Sequence, residues 1–403
     1  MIAIYLSPLY LALNIFILIK LMRWLHTCAP ATKTKGITAI ICAAFLFITF
    51  AILIAFLLPP GVLQRILKLL SNYWLGSLVY ITIFLLGYLI IHRLYLFIRF
   101  KHKANIKNAL KLYKTSKFYK AAGGIILSAV VLVVGFGIYH SHDIQVNNYD
   151  ISVSKDGGNL DELNIVLLAD LHMGYNVGCN LVQQIVDKTN AQNPDIVLIA
   201  GDIFDNEYEA LDDPDRLAEI LGSIKSKYGV YAVYGNHDIN EKILGGFTFD
   251  SKEKVSDPKM DELLEKANIT LLSDETKLVD DSFYIVGRVD IDRPGRGITK
   301  RKTASELISV LDQSKPVIIL NHEPKELEED SKSGADIELC GHVHDGQLFP
   351  GNLFVRLEYT NACGYRQYGS MHSIVTSGCG IWGPAMRVGT DSEICSIKIH
   401  FQN

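Results

Sequence analysis

Acidic residues are absent from the first third of the chain, where no Asp or Glu occurs between Met1 and His140. The same stretch carries 15 of the 39 Lys and Arg residues. The remainder therefore holds all 43 acids against 24 basic residues, a balance of −19. Such an acidic region repels the phosphate backbone of nucleic acid, whose binding depends on Lys and Arg. We therefore exclude nucleic-acid recognition as a main function.

Cysteine is scarce and irregularly spaced, with seven residues and no Cys-x-x-Cys pair. This spacing argues against a zinc ribbon and against a disulfide framework. Most of the cysteines are expected to be small buried residues. A disulfide between Cys363 and Cys379 remains an open alternative.

Long apolar runs occur four times in the acid-free region, and about 20 helical residues are enough to cross the hydrocarbon core of a bilayer. The runs are Ile2–Trp24, Ile37–Leu58, Tyr73–Ile98 and Ala121–Tyr139. The first run has neither a basic start nor a cleavage site, so we interpret it as a retained helix rather than a signal peptide. Residues 1–140 are thus predicted to form a four-helix transmembrane region. Its spans contain no acid, which argues against a transporter.

The distribution of Lys and Arg predicts the orientation of these helices, because loops rich in both resist translocation. The first loop contains Lys33 and Lys35, and the second contains only Arg65 and Lys68. The third loop is strongly basic and is expected to contact anionic membrane lipids. Its basic residues are Arg99, Lys101, Lys103, Lys107, Lys111, Lys114, Lys117 and Lys120. We therefore expect a multi-pass protein of the cell membrane with its acidic region outside the cytoplasm.

Beyond His140, a polar linker is predicted over residues 141–162, followed by a domain over residues 163–403. In this domain short β-branched runs alternate with amphipathic helical patterns, which is typical of an α/β fold. The predicted strands are Asn164–Ala169, Asp195–Ala200, Val230–Tyr234, Phe283–Gly287, Pro316–Leu320, Ile337–Cys340, Ser373–Thr376 and Glu393–Phe401. The predicted helices are Leu181–Asn190, Asp215–Ser226, Met260–Ala267 and Thr303–Leu311.

Polar motifs follow five of these strands at the point where each strand ends. They are Asp170-Leu171-His172, Gly201-Asp202, Gly235-Asn236-His237-Asp238, Asn321-His322 and Gly341-His342-Val343-His344. Ligands of α/β folds bind at the carboxyl edge of the sheet, so these side chains are expected to meet there. Any one motif alone is more often an ordinary turn. Five in order, each after an apolar strand, indicate a functional site.

The motifs resemble the calcineurin-like metallophosphoesterase superfamily, whose D-x-H, G-D-x-x-D, G-N-H-D/E, H and G-H-x-H pattern is present in full. The segments Gly341–Pro350, Thr376–Gly380 and Arg387–Gly389 are similar to the branch of YkuE-type and UDP-2,3-diacylglucosamine pyrophosphatase-type enzymes. With its preceding spans, the whole chain also resembles transmembrane proteins with a metallophosphoesterase domain. The resemblance implies a helix-flanked β-sandwich and a metal-dependent phosphoester or pyrophosphate hydrolase.

The resemblance also implies a role for each motif residue. Two divalent ions, most simply Mn, Fe or Zn, would be bound by Asp170, His172, Asp202, Asn236, His322, His342 and His344, with Asp202 bridging both. Oxygen and imidazole donors without Cys suit these ions. His237 would stabilise or protonate the transferring group. Asp205 would orient His237, although a loop-capping role for Asp205 is an equal alternative.

The substrate is less constrained than the site. A lipid-linked phosphate is the favoured expectation, and a soluble-nucleotide phosphodiesterase and a catalytically weak metal-binding sensor are the alternatives. A loop with Pro294, Gly295 and Gly297 carries a basic cluster that could contact a second phosphate. The cluster comprises Arg288, Arg293, Arg296, Lys300, Arg301 and Lys302. A solvated loop that offsets nearby acids is the competing interpretation.

Overall fold

The computed structural model describes residues 2–101, 116–244, 247–249, 254–293, 295, 298 and 300–402. The chain divides into two compact units. The helical unit comprises Met1–Ile138 and Leu244–Phe247, and the sheet unit comprises Tyr139–Ile243 and Thr248–Asn403. Some basic residues singled out from the sequence lie outside the described residues. They are Lys103, Lys107, Lys111 and Lys114 of the third loop, and Arg296.

The helical unit contains four long apolar helices, each long and apolar enough to cross a membrane. They are α1 (Ile2–Cys28), α2 (Lys35–Leu57), α3 (Val62–Lys101) and α4 (Ser116–His140). Helix α2 ends just before Pro59, because a residue that precedes proline disfavours the helical conformation and Leu58 is accordingly extended. The number of predicted helices is confirmed. Helix α3 extends beyond its predicted span at both ends.

A buried amide connects three of these helices. The Asn14 Oδ1 atom on α1 accepts hydrogen bonds from Thr49 Oγ1 on α2 and from Trp74 Nε1 on α3, both at 3.1 Å. Asn14 is only 2% exposed. Polar side chains that bond across helices stabilise packing where apolar contacts gain little over lipid. This contact fixes the register of α1 against its two neighbours.

The described residues from Tyr139 onwards form two six-stranded sheets, a two-stranded sheet and flanking helices. The strands are β1 (Gln145–Val153), β2 (Glu162–Leu168), β3 (Ile196–Ala200), β4 (Val230–Val233), β5 (Lys242–Leu244), β6 (Phe247–Phe249), β7 (Ile269–Leu271), β8 (Glu275–Val279), β9 (Phe283–Gly287), β10 (Val317–Leu320), β11 (Ile337–Cys340), β12 (Gly364–Tyr368), β13 (Met371–Val375) and β14 (Glu393–Phe401). The helices are α5 (Cys179–Ala191), α6 (Pro214–Gly222), α7 (Pro258–Lys266), α8 (Ala304–Ile308), α9 (Leu327–Lys332) and α10 (Gly351–Glu358).

The two sheets pack face to face. The first has the order β1-β14-β2-β3-β4-β7, and the second has the order β12-β13-β11-β10-β9-β8. Along β2, Ile165 and Leu167 join the core between the sheets, whereas Val166 and Leu168 join a second core under α5, α6 and α7. Alternate side chains of a strand face opposite sides, so one apolar run supplies both cores. The fold is the predicted helix-flanked β-sandwich.

The segment predicted as a polar linker, residues 141–162, contains strand β1, which pairs in parallel with β14. Ile151 and Val153 are buried and alternate with exposed residues, as in a strand. The polar residues Asn147, Asn148 and Asp150 made this pattern hard to recognise in the sequence. Strand β1 lies at the edge of its sheet, so its polar side chains do not disturb the core. The division of the chain at residues 140 and 162 stays a prediction.

Candidate metal centre

The carboxyl ends of five strands gather the polar motifs at one edge of the sandwich. Strands β2, β3 and β4 lie side by side in parallel in the first sheet, and β10 and β11 pair in parallel in the second. The two sheets therefore present their motif residues to one place. The structure brings together all seven residues predicted as metal ligands.

Asp170, His172 and His344 form one group, in which one side-chain ligand atom of each lies within 4.8 Å of the others. The Nε2 atoms of His172 and His344 are 3.1 Å apart. The Oδ1 atom of Asp170 lies 3.8 Å from His344 Nε2. All three residues are buried. Two imidazole nitrogens and a carboxylate oxygen thus converge on one point.

His322, His342 and Asn236 form a second convergent group. The Asn236 Oδ1 atom lies 3.1 Å from His322 Nε2 and 2.9 Å from His342 Nδ1. The two imidazole nitrogens are themselves 3.2 Å apart. This group is again built from nitrogen and oxygen donors without sulfur.

The Asp202 carboxylate lies between the two groups. Its Oδ2 atom is 3.6 Å from His172 Nε2 and 3.1 Å from His322 Nε2. Its Oδ1 atom accepts the backbone N–H of His237 at 2.7 Å. Because that hydrogen bond fixes the carboxylate, Oδ2 is held where it faces one histidine of each group.

The chemistry of the donor set fits bound cations. His322 Nδ1 lies 2.8 Å from the Ala200 carbonyl oxygen, so Nδ1 carries the proton and Nε2 presents its lone pair to the centre. In His342 the two nitrogens have the opposite places. Its Nδ1 faces the centre, and its Nε2 lies 3.4 Å from a Glu323 carboxylate oxygen. Nitrogen and carboxylate donors of this kind suit borderline divalent metals. The residues present therefore fit a two-metal centre.

Close backbone approach shapes the same region. A Cβ on Gly235 would lie 2.3 Å from Asp202 Oδ1, and one on Gly201 would lie 2.5 Å from His322 Nδ1. Only glycine leaves room at these two positions. Left-handed backbone angles also cluster here, as Asp170, Asp202, His342 and others have positive φ. Such strain concentrates at functional sites, where the surrounding structure holds it.

His237 and Asp205 lie directly beside the first group. His237 Nδ1 is 3.6 Å from Asp205 Oδ1, and the same oxygen is 3.4 Å from His172 Nδ1. The His237 ring meets the His172 ring edge-on with centroids 5.0 Å apart. Asp205 thus faces two histidines from one oxygen. His172, Asp205 and His237 could also hold a cation as a third group.

Burial and neighbouring charge perturb several of these groups. Burial raises the pKa of Asp170 to about 6, although the nearby His322 opposes the change. Burial would also raise the pKa of Asp202, but the charges of His322, His237 and His172 hold it well below its usual range. The pKa of His342 falls to about 3 because of burial and the charge of His322. Burial would lower the pKa of His322, but the charge of Asp202 holds it well above its usual range, so a bound cation would take the place of a proton on His322.

Three further residues support the site, and the sequence assigned a role to none of them. Glu323 is 2% exposed and faces His342, as described above. The carboxylate of Asp238 accepts the backbone N–H of Phe204 at 2.8 Å and of Gly235 at 2.7 Å, which fixes the turn before Asn236. Arg387 is fully buried and donates to carbonyl oxygens of Ser377, Gly380 and His344. The sequence offered one indication for Glu323 and Asp238, since each directly follows a motif histidine.

Three of the six residues of the basic cluster form internal ion pairs. Arg288 is 1% exposed, and its Nη1 donates to both carboxylate oxygens of Asp330 at 2.8 and 3.1 Å. Arg301 lies 3.3 Å from Glu326, and Arg293 pairs with Glu241. Charge compensation, rather than solvation, explains these three arginines. Lys300 and Lys302 are its described members that remain exposed.

All seven cysteines are free thiols, so the alternative of a Cys363–Cys379 disulfide is wrong. Burial raises the pKa of the Cys379 thiol to about 12. Cys363 behaves in the same way, with a pKa also raised to about 12 by burial. Both are therefore inert apolar residues rather than reactive thiols.

Comparison with known proteins gives consistent results. Residues 163–346 match the family model of the calcineurin-like phosphoesterase. The chain is 30% identical over 347 residues to a transmembrane protein with metallophosphoesterase domain from Danio rerio, covering 83% of this chain and 74% of that protein. It is 31% identical over 277 residues to an uncharacterized metallophosphoesterase from Campylobacter jejuni, covering 68% and 69%. The phosphodiesterase YaeI from Escherichia coli is 27% identical over 278 residues, covering 66% and 93%.

These similarities, together with the convergent histidines, define the class of protein as a metal-dependent phosphoesterase. More particularly, the chain belongs to the calcineurin-like phosphoesterase family, whose members depend on a dinuclear metal centre. Its relatives include proteins named as transmembrane, in agreement with its own four apolar helices. The predicted enzyme class is confirmed.

Proposed function

We propose that the centre binds two divalent cations and hydrolyses a phosphoester or pyrophosphate. Asp170, His172 and His344 would hold one cation, and Asn236, His322 and His342 the other. The observation that carries this assignment is that Asp202 Oδ2 faces one histidine of each group. When bound, two such cations polarise a phosphoryl oxygen and lower the pKa of a bound water. Mn, Fe and Zn fit the donors equally well.

The protein groups supply the remaining chemistry. Asp202 keeps both halves of the centre in register, because its Oδ1 is anchored by the His237 backbone. The His237 side chain neutralises charge on the transferring phosphoryl group and delivers a proton to the leaving oxygen. Asp205 Oδ1 orients His237 through Nδ1, which leaves Nε2 for the substrate. Hydrolysis of an aryl phosphate that is lost on chelation and restored by Mn²⁺ tests the proposal directly.

The substrate we propose is a lipid-linked phosphate or diphosphate. Attachment to four apolar helices raises the local concentration of a substrate presented at the membrane surface. We also propose membership of the branch of YkuE-type and UDP-2,3-diacylglucosamine pyrophosphatase-type enzymes. In support, Arg387 of the branch-like segment holds the Thr376–Gly380 loop and the His344 backbone together. A soluble nucleotide is the competing substrate.

Lys300 is the residue we expect to contact the headgroup of such a substrate. It is exposed and adjoins Arg301, whose guanidinium donates to Asn321 Oδ1 at 3.1 Å, directly before His322. Lys300→Ala should raise KM for a lipid phosphate in vesicles about fivefold, the effect of one Lys near an anionic surface. KM for a soluble aryl phosphate should stay unchanged.

Lys277→Ala is the matched control, because Lys277 is an equally exposed Lys on β8. If wild-type protein hydrolyses a nucleotide faster than every lipid phosphate tested, the lipid-linked substrate is wrong. If Lys277→Ala and Lys300→Ala raise KM alike, the effect is one of general charge, and Lys300 has no specific contact.

We further propose that the sheet unit lies outside the cytoplasm of a cell membrane. The support is the distribution of Lys and Arg among the loops of the helical unit. The described basic residues of the first loop are Lys33, between α1 and α2, and Lys35, the first residue of α2. Strand β1 begins soon after α4 ends, so the unit would follow the membrane face reached by the end of α4.

A membrane-impermeant maleimide applied to intact cells is expected to label Lys225→Cys but not Thr34→Cys. Both positions are exposed; Lys225 lies in the sheet unit and Thr34 in the first loop. The partly exposed cysteines must first be replaced by Ala. They are Cys28, Cys42, Cys179 and Cys363. After permeabilisation both variants should react, and labelling of Thr34→Cys alone in intact cells would show the reverse orientation.

A further inference from the structure

An apolar cavity of about 270 Å³ lies among the helices of the helical unit. All four helices contribute to its lining, including Lys20 and Trp24 from α1, Phe45 from α2, Trp74 from α3 and Gly123 from α4. The walls are almost entirely aliphatic and aromatic. A cavity of this chemistry suits a hydrocarbon chain.

Lys20 is the charged side chain among the lining residues that the structure describes. Its Nζ atom lies over the Phe16 ring, 5.2 Å from the centroid. The helical unit offers it no carboxylate, because the sequence contains no Asp or Glu from Met1 to His140. An anion from outside the protein is therefore the counterion that would complete this site.

The cavity is located towards one end of the helices. Its lining comes from the carboxyl-terminal half of α1 and the amino-terminal half of α4, and these ends adjoin the first and third loops. Both loops are basic, so the cavity opens near the leaflet to which anionic lipids are attracted. Basic pockets between membrane helices on such a side bind lipid phosphates.

Trp24 forms one wall of the cavity and is itself fixed in place. Its Nε1 donates to the Lys120 carbonyl oxygen at 3.2 Å. A Cβ on Gly123 would lie 2.1 Å from the same nitrogen, so glycine is what allows the indole to lie against α4. The wall next to Lys20 is thus built by specific contacts rather than by loose packing.

We propose that this cavity binds an acyl chain of an anionic phospholipid, with the lipid phosphate at Lys20. The apolar walls account for the chain, and the isolated ammonium accounts for the charge of the headgroup. The site is separate from the metal centre and does not depend on the proposed hydrolysis. If the occupant were instead a neutral lipid or a detergent chain, its binding would not depend on Lys20.

The experiment uses the full chain with Trp382→Phe, which leaves Trp24 and Trp74 as its tryptophans. Both line the cavity, so a brominated acyl chain inside it quenches their fluorescence. In phosphatidylcholine nanodiscs, added brominated phosphatidylglycerol should quench saturably, and brominated phosphatidylcholine should not. Lys20→Gln should weaken the apparent affinity about fivefold, the effect expected for one Lys beside an anionic headgroup.

Two further variants separate the site from general surface effects. Arg23→Gln removes an exposed charge of the same helix that does not line the cavity, and it should leave the affinity unchanged. Ala122→Phe should fill the cavity and abolish saturable quenching, with an unchanged elution profile as evidence of folding. Equal quenching by both lipids, wild-type affinity in Lys20→Gln, or an equal loss in Arg23→Gln would each overturn the proposal.

Discussion

Asp202→Asn should strip most of the metal from the purified protein and abolish hydrolysis. Asp202 Oδ2 faces one histidine of each ligand group, so a neutral amide weakens both sites together. Loss of a supporting group alone costs about 10- to 100-fold in metal affinity, and loss of a shared ligand should cost more. Several kcal/mol of charge stabilisation disappear with the metals, so kcat should fall by at least about 10³-fold. Metal content by mass spectrometry and turnover of an aryl phosphate measure the two effects.

This variant is expected to stay folded. The Asn side chain retains an oxygen that can accept the His237 backbone N–H, now accepted by Asp202 Oδ1. Asp187→Asn, an exposed change on α5, controls for the loss of one acid. Full metal content and normal turnover in Asp202→Asn would contradict the bridging role.

His237→Ala should behave differently, with both metals retained and kcat lower by about 10²- to 10⁴-fold, as for loss of a positioned acid. The backbone N–H that anchors Asp202 survives this change. His237 lies outside the two groups that share Asp202, although it belongs to the third possible group with His172 and Asp205. The measurement pairs metal content with steady-state kinetics.

Asp205→Asn provides a matched comparison for His237→Ala. It preserves the shape of the residue that faces His237 but removes its charge, so kcat should fall by less than in His237→Ala. If His237→Ala lost as much metal as Asp202→Asn, His237 would be a ligand, and the third group would be the true second site.

The sequence predicted which motif side chains would lie together, because its information is local. Each motif follows an apolar strand, and parallel strands bring their carboxyl ends to one edge whatever the details of packing. Asp170, Asp202 and His342 therefore came together as expected. The same logic could not identify Glu323, whose contact with His342 depends on where two loops meet.

Long-range pairing explains the main differences between sequence and structure. Strand β1 looks like a polar linker because Ile151 and Val153 are its only fully buried residues, and its partner β14 is remote in the chain. The basic cluster was equally ambiguous, since the acids that pair with Arg288, Arg293 and Arg301 lie in other segments. Pairings of that kind depend on tertiary structure, and the order of residues within one segment does not reveal them.

The pairing of β1 with β14 also has a consequence for how the protein is made. Gln145 pairs with Glu393, 248 positions further along the chain, and β14 separates β1 from β2 in the sheet. Closing so long a loop is slow, because its entropic cost precedes the contacts that offset it. On the ribosome, the strand that follows α4 must wait with open edges until β14 has emerged. The sheet is then closed by the arrival of β14, which joins the helix-proximal strand to the rest of the enzyme.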